Sequence, residues 1–116
     1  MKTRKLIGKS LWEILVPALD RLGFKRTVQY HNVWDGTVRT ITGGLTIMPP
    51  ARGEWVCGSE DGTIFKEPMI PVRVWATRKQ MDKIAEITME HYDQLAVMFY
   101  HISDEVLIVS REKTKK

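Results

Sequence analysis

The sequence predicts a single α+β domain with a ferredoxin-like antiparallel or mixed sheet. Its 116 residues, 43% hydrophobic and 28% charged, fit one compact globular unit. The last third alternates strand and helix patterns: a strand over Met69–Ala76, a helix over 78–92 and an apolar strand over Leu95–His101. A final strand over Glu105–Ser110 completes a split arrangement of strand, crossover helix, strand and hairpin partner.

The first element is predicted to be an additional N-terminal helix. Ser10 is followed three residues later by Glu13, which is the spacing of a capping box. Four leucines then recur with helical spacing up to Gly23, and Pro17 within them predicts a kink. These leucines are Leu11, Leu15, Leu19 and Leu22.

A β-hairpin is predicted to follow this helix. Thr27–Trp34 and Thr37–Thr42 are rich in β-branched and aromatic residues, and they flank the turn-forming pair Asp35-Gly36. Gly43-Gly44 is expected to interrupt the second arm before Leu45–Met48. The fold prediction is therefore a ferredoxin-like sheet with an extra helix and hairpin at its N-terminus.

Residues 51–68 form the least regular stretch. Short strands are expected at Glu54–Cys57 and Thr63–Phe65, with a turn at Gly58–Gly62 between them. The density of glycine, acidic and aromatic residues is typical of a binding loop, although a plain connecting hairpin has the same composition.

The helix over 78–92 has the clearest signals of the chain. Thr77 and Gln80 form a second capping box at its start. Its apolar stripe is expected to face the core, because an aliphatic and aromatic stripe at helical spacing is usually core. The stripe consists of Met81, Ile84, Ala85, Thr88 and Tyr92.

The charge is unevenly placed along the chain. The net charge is +4, yet residues 10–110 hold ten bases against thirteen acids and carry −3. We therefore expect basic tails at 1–9 and 111–116 around a mildly acidic domain at 10–110. An acidic body would repel phosphates, so we do not expect the domain to bind nucleic acid.

Several classes of chemistry lack their motifs. One cysteine cannot form an internal disulfide, and the three histidines have no metal-ligand spacing. The sequence has no phosphate-binding glycine loop and no G-x-S-x-G elbow. It also lacks a transmembrane pattern and a signal-peptide cleavage site, so we expect no membrane partner and a cytoplasmic protein.

The segment from Gly53 to Tyr100 carries a family resemblance. Gly53-Glu54-Trp55 and Gly58-Ser59 precede the triplet Phe65-Lys66-Glu67. Val72-Arg73-Val74, a helix and Tyr92-Asp93-Gln94 then lead into Val97-Met98-Phe99-Tyr100. This order resembles the phage-encoded S-adenosylmethionine lyases, long called S-adenosylmethionine hydrolases, over about 50 residues.

The resemblance implies a ferredoxin-type homotrimer that holds S-adenosylmethionine at its subunit interfaces. It implies release of methylthioadenosine and homoserine lactone without metal or cofactor. Loss of the methyl donor in the cytoplasm of a bacteriophage-infected host would counter its methyltransferases and restriction systems.

The resemblance also implies a set of site residues. Glu67 is the expected catalytic residue, as the charged group that orients the substrate. Gln94 and Tyr100 are expected to contact substrate as hydrogen-bond donors, and Ser59 and Trp55 to bind the adenosine side.

Two other function classes remain open from the residues alone. One is a non-catalytic phage interaction protein on a ferredoxin-like scaffold, because such sheets support many unrelated functions. The other is a small nucleic-acid-binding protein that uses its basic tails together with the tryptophans.

Overall fold

The computed structural model describes residues 1–56 and 62–111, which form seven strands and two helices. In chain order these are β1 (Lys2–Leu6), β2 (Ser10–Pro17), α1 (Val28–Thr42), β3 (Thr46–Ile47), β4 (Ala51–Val56), β5 (Ile64–Ala76), α2 (Arg78–His91), β6 (Phe99–Ser103) and β7 (Val106–Ser110). Within these residues, no helix is long and apolar enough to cross a membrane.

One antiparallel sheet forms the body of the protein. Its strand order is β3–β5–β2–β6, and β4 also pairs with β5. The central strand β2 places Glu13 opposite Arg73 on one side and opposite Tyr100 on the other. β1 and β7 form a separate two-stranded antiparallel ribbon beyond this sheet.

Both helices pack on the same face of the sheet and enclose the core. Ile14 and Val16 from β2, together with Val72 and Val74 from β5, point toward the helices and are fully buried. The other face carries the alternate residues of the same strands and has no helix on it in the described part of the chain. We call it the helix-free face. The architecture confirms the predicted α+β, ferredoxin-like fold class.

The predicted N-terminal helix over residues 10–22 is wrong, because Ser10–Pro17 is strand β2 and residues 18–22 are not helical. The leucine spacing suits a helix, but Trp12, Ile14 and Val16 alternate and place one row of apolar side chains against the core. Ser10 and Glu13 do not form a capping box, because each has a different partner. Ser10 bonds to Asp104, and Glu13 pairs across the sheet.

The predicted hairpin over residues 27–42 is also wrong, because Val28–Thr42 is helix α1. Thr27 caps it by accepting the backbone N–H of Tyr30 at 3.1 Å, and Gly43 ends it in a left-handed conformation at φ 89°. Trp34 and Val38, one turn apart, are buried against the sheet. The burial of Trp34 and Val38 in the core outweighs the strand propensity of the threonines and valines in α1.

The helix predicted over 78–92 is confirmed as α2, with its capping box formed between Thr77 and Gln80. The strand predicted over Met69–Ala76 belongs to β5, which begins earlier at Ile64 and takes in the short strand predicted at Thr63–Phe65. Glu67 therefore lies within a strand and not in a loop.

The segment 1–9, predicted to be a basic tail, contains strand β1. Its pairing with β7 was not foreseen, because Lys2–Leu6 is basic and short and has no strong strand pattern of its own. Residues 112–116 of the predicted C-terminal tail and residues 58–61 of the predicted turn lie outside the described residues.

Candidate functional site

An open cavity of about 300 Å³ lies where β2, β4 and β5 meet the loop before β6, and we call it the Glu67 cavity. It lies on the helix-free side of the sheet, because its strand residues alternate with those that face the helices. It is lined by Leu15, Pro17, Trp55, Glu67, Met69, Gln94, Ala96, Val97 and Met98. Three of the five site residues predicted from the sequence are therefore brought together.

Glu67 is the one ionisable side chain among the described residues that line this cavity. It is half-buried on β5 and pairs in register with Gly53 on β4. Neither residues 1–56 nor residues 62–111 supply it with an ion-pair partner. A half-buried carboxylate without a cation beside it favours a cationic ligand.

Trp55 lies against the backbone of Gly53. A Cβ on Gly53 would stand 3.0 Å from the indole Nε1 of Trp55 and 3.0 Å from the sulfur of Met69. Such a contact requires a neighbour to shift, so the absence of a side chain at Gly53 leaves room for the indole beside the residue that pairs with Glu67. Trp55 is half-buried and offers an aromatic surface to the cavity.

Gln94 reaches the cavity through the tight turn that ends α2. Asp93 adopts a left-handed conformation at φ 52°, and the backbone N–H of Gln94 donates to the carbonyl of Met89 at 2.8 Å. The side-chain Nε2 of Gln94 donates to the carbonyl of Tyr92 at 3.2 Å. The amide is thereby held in place, and its oxygen remains available as an acceptor.

Tyr100 lies on the helix-free face, two residues after the cavity-lining Met98. It is not itself a lining residue of the cavity. Its hydroxyl donates to Oε2 of Glu13, while Nε of Arg73 donates to Oε1 of the same carboxylate at 3.0 Å. Sequence reasoning missed Glu13 and Arg73. The alternation of Trp12 and Ile14 around Glu13 was the available signal. Ser59 lies outside the described residues.

The Glu67 cavity as a whole is apolar with a single negative charge. Aliphatic and thioether groups of Leu15, Met69, Val97 and Met98 form most of its wall. Its polar groups are the carboxylate of Glu67, the amide of Gln94 and the indole of Trp55. This arrangement can hold a flat, cationic organic molecule, because an aromatic face and a carboxylate both attract positive charge.

The fold is shared with several solved structures. A phage SAM lyase in complex with S-methyl-5'-thioadenosine matches with a TM-score of 0.65 at 13% identity, over 92% of this chain and 94% of that one. CutA from Synechococcus elongatus matches with a TM-score of 0.60 at 11% identity, over 92% and 85%. CutA1 from Oryza sativa matches with a TM-score of 0.59 at 8% identity, over 91% and 84%.

At these identities the similarities concern the fold alone. No family model and no curated protein matches the chain. The protein thus has the α+β fold that the phage SAM lyase structure and the CutA structures have in common.

Proposed function

We propose that this protein is an S-adenosylmethionine lyase that releases methylthioadenosine and homoserine lactone. The observation that carries the proposal is the meeting of Trp55, Glu67 and Gln94 around one cavity. Trp55 and Glu67 lie on the paired strands β4 and β5, and Gln94 joins them from the turn after α2. The fold similarity to a phage SAM lyase supports the same function.

The reaction needs no catalytic group on the protein that forms or breaks a bond. A carboxylate oxygen of the substrate attacks its own γ-carbon, and the carbon–sulfur bond breaks with its electron pair moving to sulfur. The carboxylate and the sulfonium charges disappear together, which leaves a neutral thioether and a lactone that carries only the unchanged α-ammonium. Holding the two reacting atoms in line can contribute roughly 7–11 kcal/mol.

Each cavity residue has a role in that positioning. The Glu67 carboxylate binds the α-ammonium and leaves the substrate carboxylate free to attack. Trp55 places its indole against the adenine or the sulfonium, and a cation over an aromatic ring gains about 0.5–2 kcal/mol. The Gln94 oxygen accepts a hydrogen bond from substrate. Ser59 is proposed on the adenosine side. The hydroxyl of Tyr100 already donates to Glu13, so we propose that Tyr100 holds the sheet beside the cavity and does not donate to substrate.

A homotrimer with the substrate between subunits belongs to the same proposal. A volume of about 300 Å³ is at the lower end of the roughly 300–1,000 Å³ usual for ligand pockets, and the cavity is open. A second copy on the helix-free face would close it and exclude water. In an infected cell, the reaction would deplete the methyl donor of host methylation and restriction.

Purified full-length protein incubated with S-adenosylmethionine tests the proposal by chromatography of the products. Glu67→Gln is expected to lower kcat/KM by about tenfold or more, because it removes a charge-assisted hydrogen bond. Glu54→Gln is the matched control, since Glu54 lies on the same hairpin opposite Lys66 and alternates to the other face. Equal activities of the two variants would contradict the role of Glu67.

A second candidate is the non-catalytic interaction protein. The β1–β7 ribbon favours it, because Leu107, Ile108 and Val109 are all more than two-fifths exposed. Such a run of aliphatic residues is typical of a protein contact.

The same ribbon carries Lys2, Arg4 and Lys5, so binding to nucleic acid predicts a salt-sensitive affinity that is lost when residues 1–9 are removed.

A further inference from the structure

A second cavity lies on the opposite face of the sheet from the Glu67 cavity. Its volume is about 230 Å³, and it opens between the first half of α1 and the sheet. Val16, Ile70 and Val72 form an apolar floor, and Val28 and Ile47 form an exposed apolar rim. We call it the helix-face cavity. Nothing in the proposed lyase reaction uses it.

A buried tyrosine orients the imidazole in this cavity. The hydroxyl of Tyr92, which is fully buried, lies 2.7 Å from Nδ1 of His31. Nδ1 is the only hydrogen-bond partner of this buried hydroxyl among the described residues, so the hydroxyl proton is satisfied by donation to Nδ1. Burial holds the pKa of His31 below its ordinary 6.5. The neutral imidazole therefore carries its proton on Nε2.

Asp35 lies one helical turn after His31 and lines the same cavity. Burial raises the pKa of its carboxyl group, against the opposing effects of His31 and Arg39. Over residues 1–56 and 62–111, the carboxylate has neither a hydrogen bond nor an ion pair. Nε2 of His31 likewise has no hydrogen-bond partner there. The Nε2 proton of His31 and the carboxylate of Asp35 are thus free to form hydrogen bonds with a ligand in the helix-face cavity.

We propose that the helix-face cavity binds a small apolar amine that carries a hydrogen-bond acceptor next to its amine. The ammonium donates to Asp35, the neighbouring acceptor receives the Nε2 proton of His31, and the apolar body lies on Val16 and Val72. A carboxylate that is partly withdrawn from water binds a cation more strongly than a surface carboxylate does. An anionic ligand is excluded by the same charge.

A series of phenyl compounds tests this assignment on the full chain. The probes are 2-amino-1-phenylethanol, 2-phenylethylamine, 2-phenylethanol and phenylacetate, with binding followed by ¹⁵N chemical shifts. We expect affinity to fall in that order, with at least about a tenfold difference between the amines and the neutral alcohol. The shifts are expected at Val28–Asp35, Ile47 and the indole of Trp34.

Variants separate this site from the Glu67 cavity. Asp35→Asn is expected to weaken the amines by about tenfold and to leave 2-phenylethanol unchanged. Asp82→Asn is the control, because Asp82 is an exposed acid on α2 that pairs with Arg78. Weaker amine binding in Glu67→Gln, equal binding of all four probes, or no binding at all would overturn the proposal. None of these outcomes depends on lyase activity.

Discussion

Nε of Arg73 on β5 donates to Oε1 of Glu13 on β2 at 3.0 Å, across the centre of the sheet. Glu13 is only 7% exposed, although it lies on the helix-free face. The hydroxyl of Tyr100 on β6 donates to the other oxygen of the same carboxylate. One acid thereby joins three strands and holds their register beside the Glu67 cavity.

Removing Arg73, the cation of this buried pair, is expected to lower the free energy of unfolding more than removing Arg78, the cation of a surface pair. Arg73→Met leaves the Glu13 carboxylate buried with Tyr100 alone, so we expect a loss of about 1.5–3 kcal/mol in the free energy of unfolding. Arg78→Met breaks an exposed pair with Asp82 and is expected to cost about 0–0.5 kcal/mol. Urea denaturation measures both. Similar losses in the two variants would show that the Glu13 carboxylate is solvated.

The stability of the protein is expected to depend on pH through His31. Its native pKa lies below the ordinary 6.5, so the unfolded chain binds a proton first as the pH falls. The contribution of neutral His31 is present above 6.5 and is lost as the pH falls from there toward the native pKa. His31→Gln should therefore flatten the profile of unfolding free energy in that range. An unchanged slope in this variant would contradict the assignment.

Gly53→Ala is expected to impair substrate binding more than folding. The new Cβ would stand 3.0 Å from Trp55 and Met69, so these side chains must give way by a few tenths of an ångström. We expect KM to rise by about twofold to threefold, because the indole then fits the substrate less closely. Gly44→Ala is the control, since its Cβ would meet nothing within 4 Å. Equal kinetics in the two variants would remove Trp55 from the site.

Oligomerisation through the helix-free face predicts a particle of three 13.4 kDa chains in light scattering. Trp75→Arg places a charge on this face and is expected to give monomers with little remaining activity. Val33→Arg adds the same charge at an exposed position of α1 and should leave the trimer intact. A monomeric wild type would contradict the proposed interfacial site.

The strand over Met69–Ala76 and the helix after it could be predicted from the sequence. The first half of the fold could not, nor could the pairing of the last strand, because β7 pairs with β1 and not with β6 as the predicted hairpin requires. α2 carries a capping box and a strict apolar stripe, so its local signals and its packing agree. In α1, the threonines and the pair Asp35-Gly36 favour a hairpin locally. Burial of Trp34 and Val38 against the sheet makes the helix more stable than the hairpin. Tertiary contacts of this kind are not visible in local propensity.

Some residues of the candidate site could also be predicted from the sequence, and others could not. The resemblance drew attention to Trp55, Glu67 and Gln94, and all three line one cavity. The spacing of Glu13 from Ser10 matches a capping box, and this local pattern does not indicate the place of Glu13 in the sheet. Its partners lie 60 and 87 residues away in sequence, so only the strand order of the sheet reveals them.

The proposed reaction cleaves S-adenosylmethionine in the Glu67 cavity without adding water. Mass spectrometry of early products from the wild-type protein in H₂¹⁸O tests it most directly. We expect methylthioadenosine together with unlabelled homoserine lactone in equal amounts, and at least about tenfold slower formation of both products by Glu67→Gln. Intact S-adenosylmethionine after incubation with stoichiometric folded protein, or ¹⁸O-labelled homoserine formed before any lactone, would contradict it.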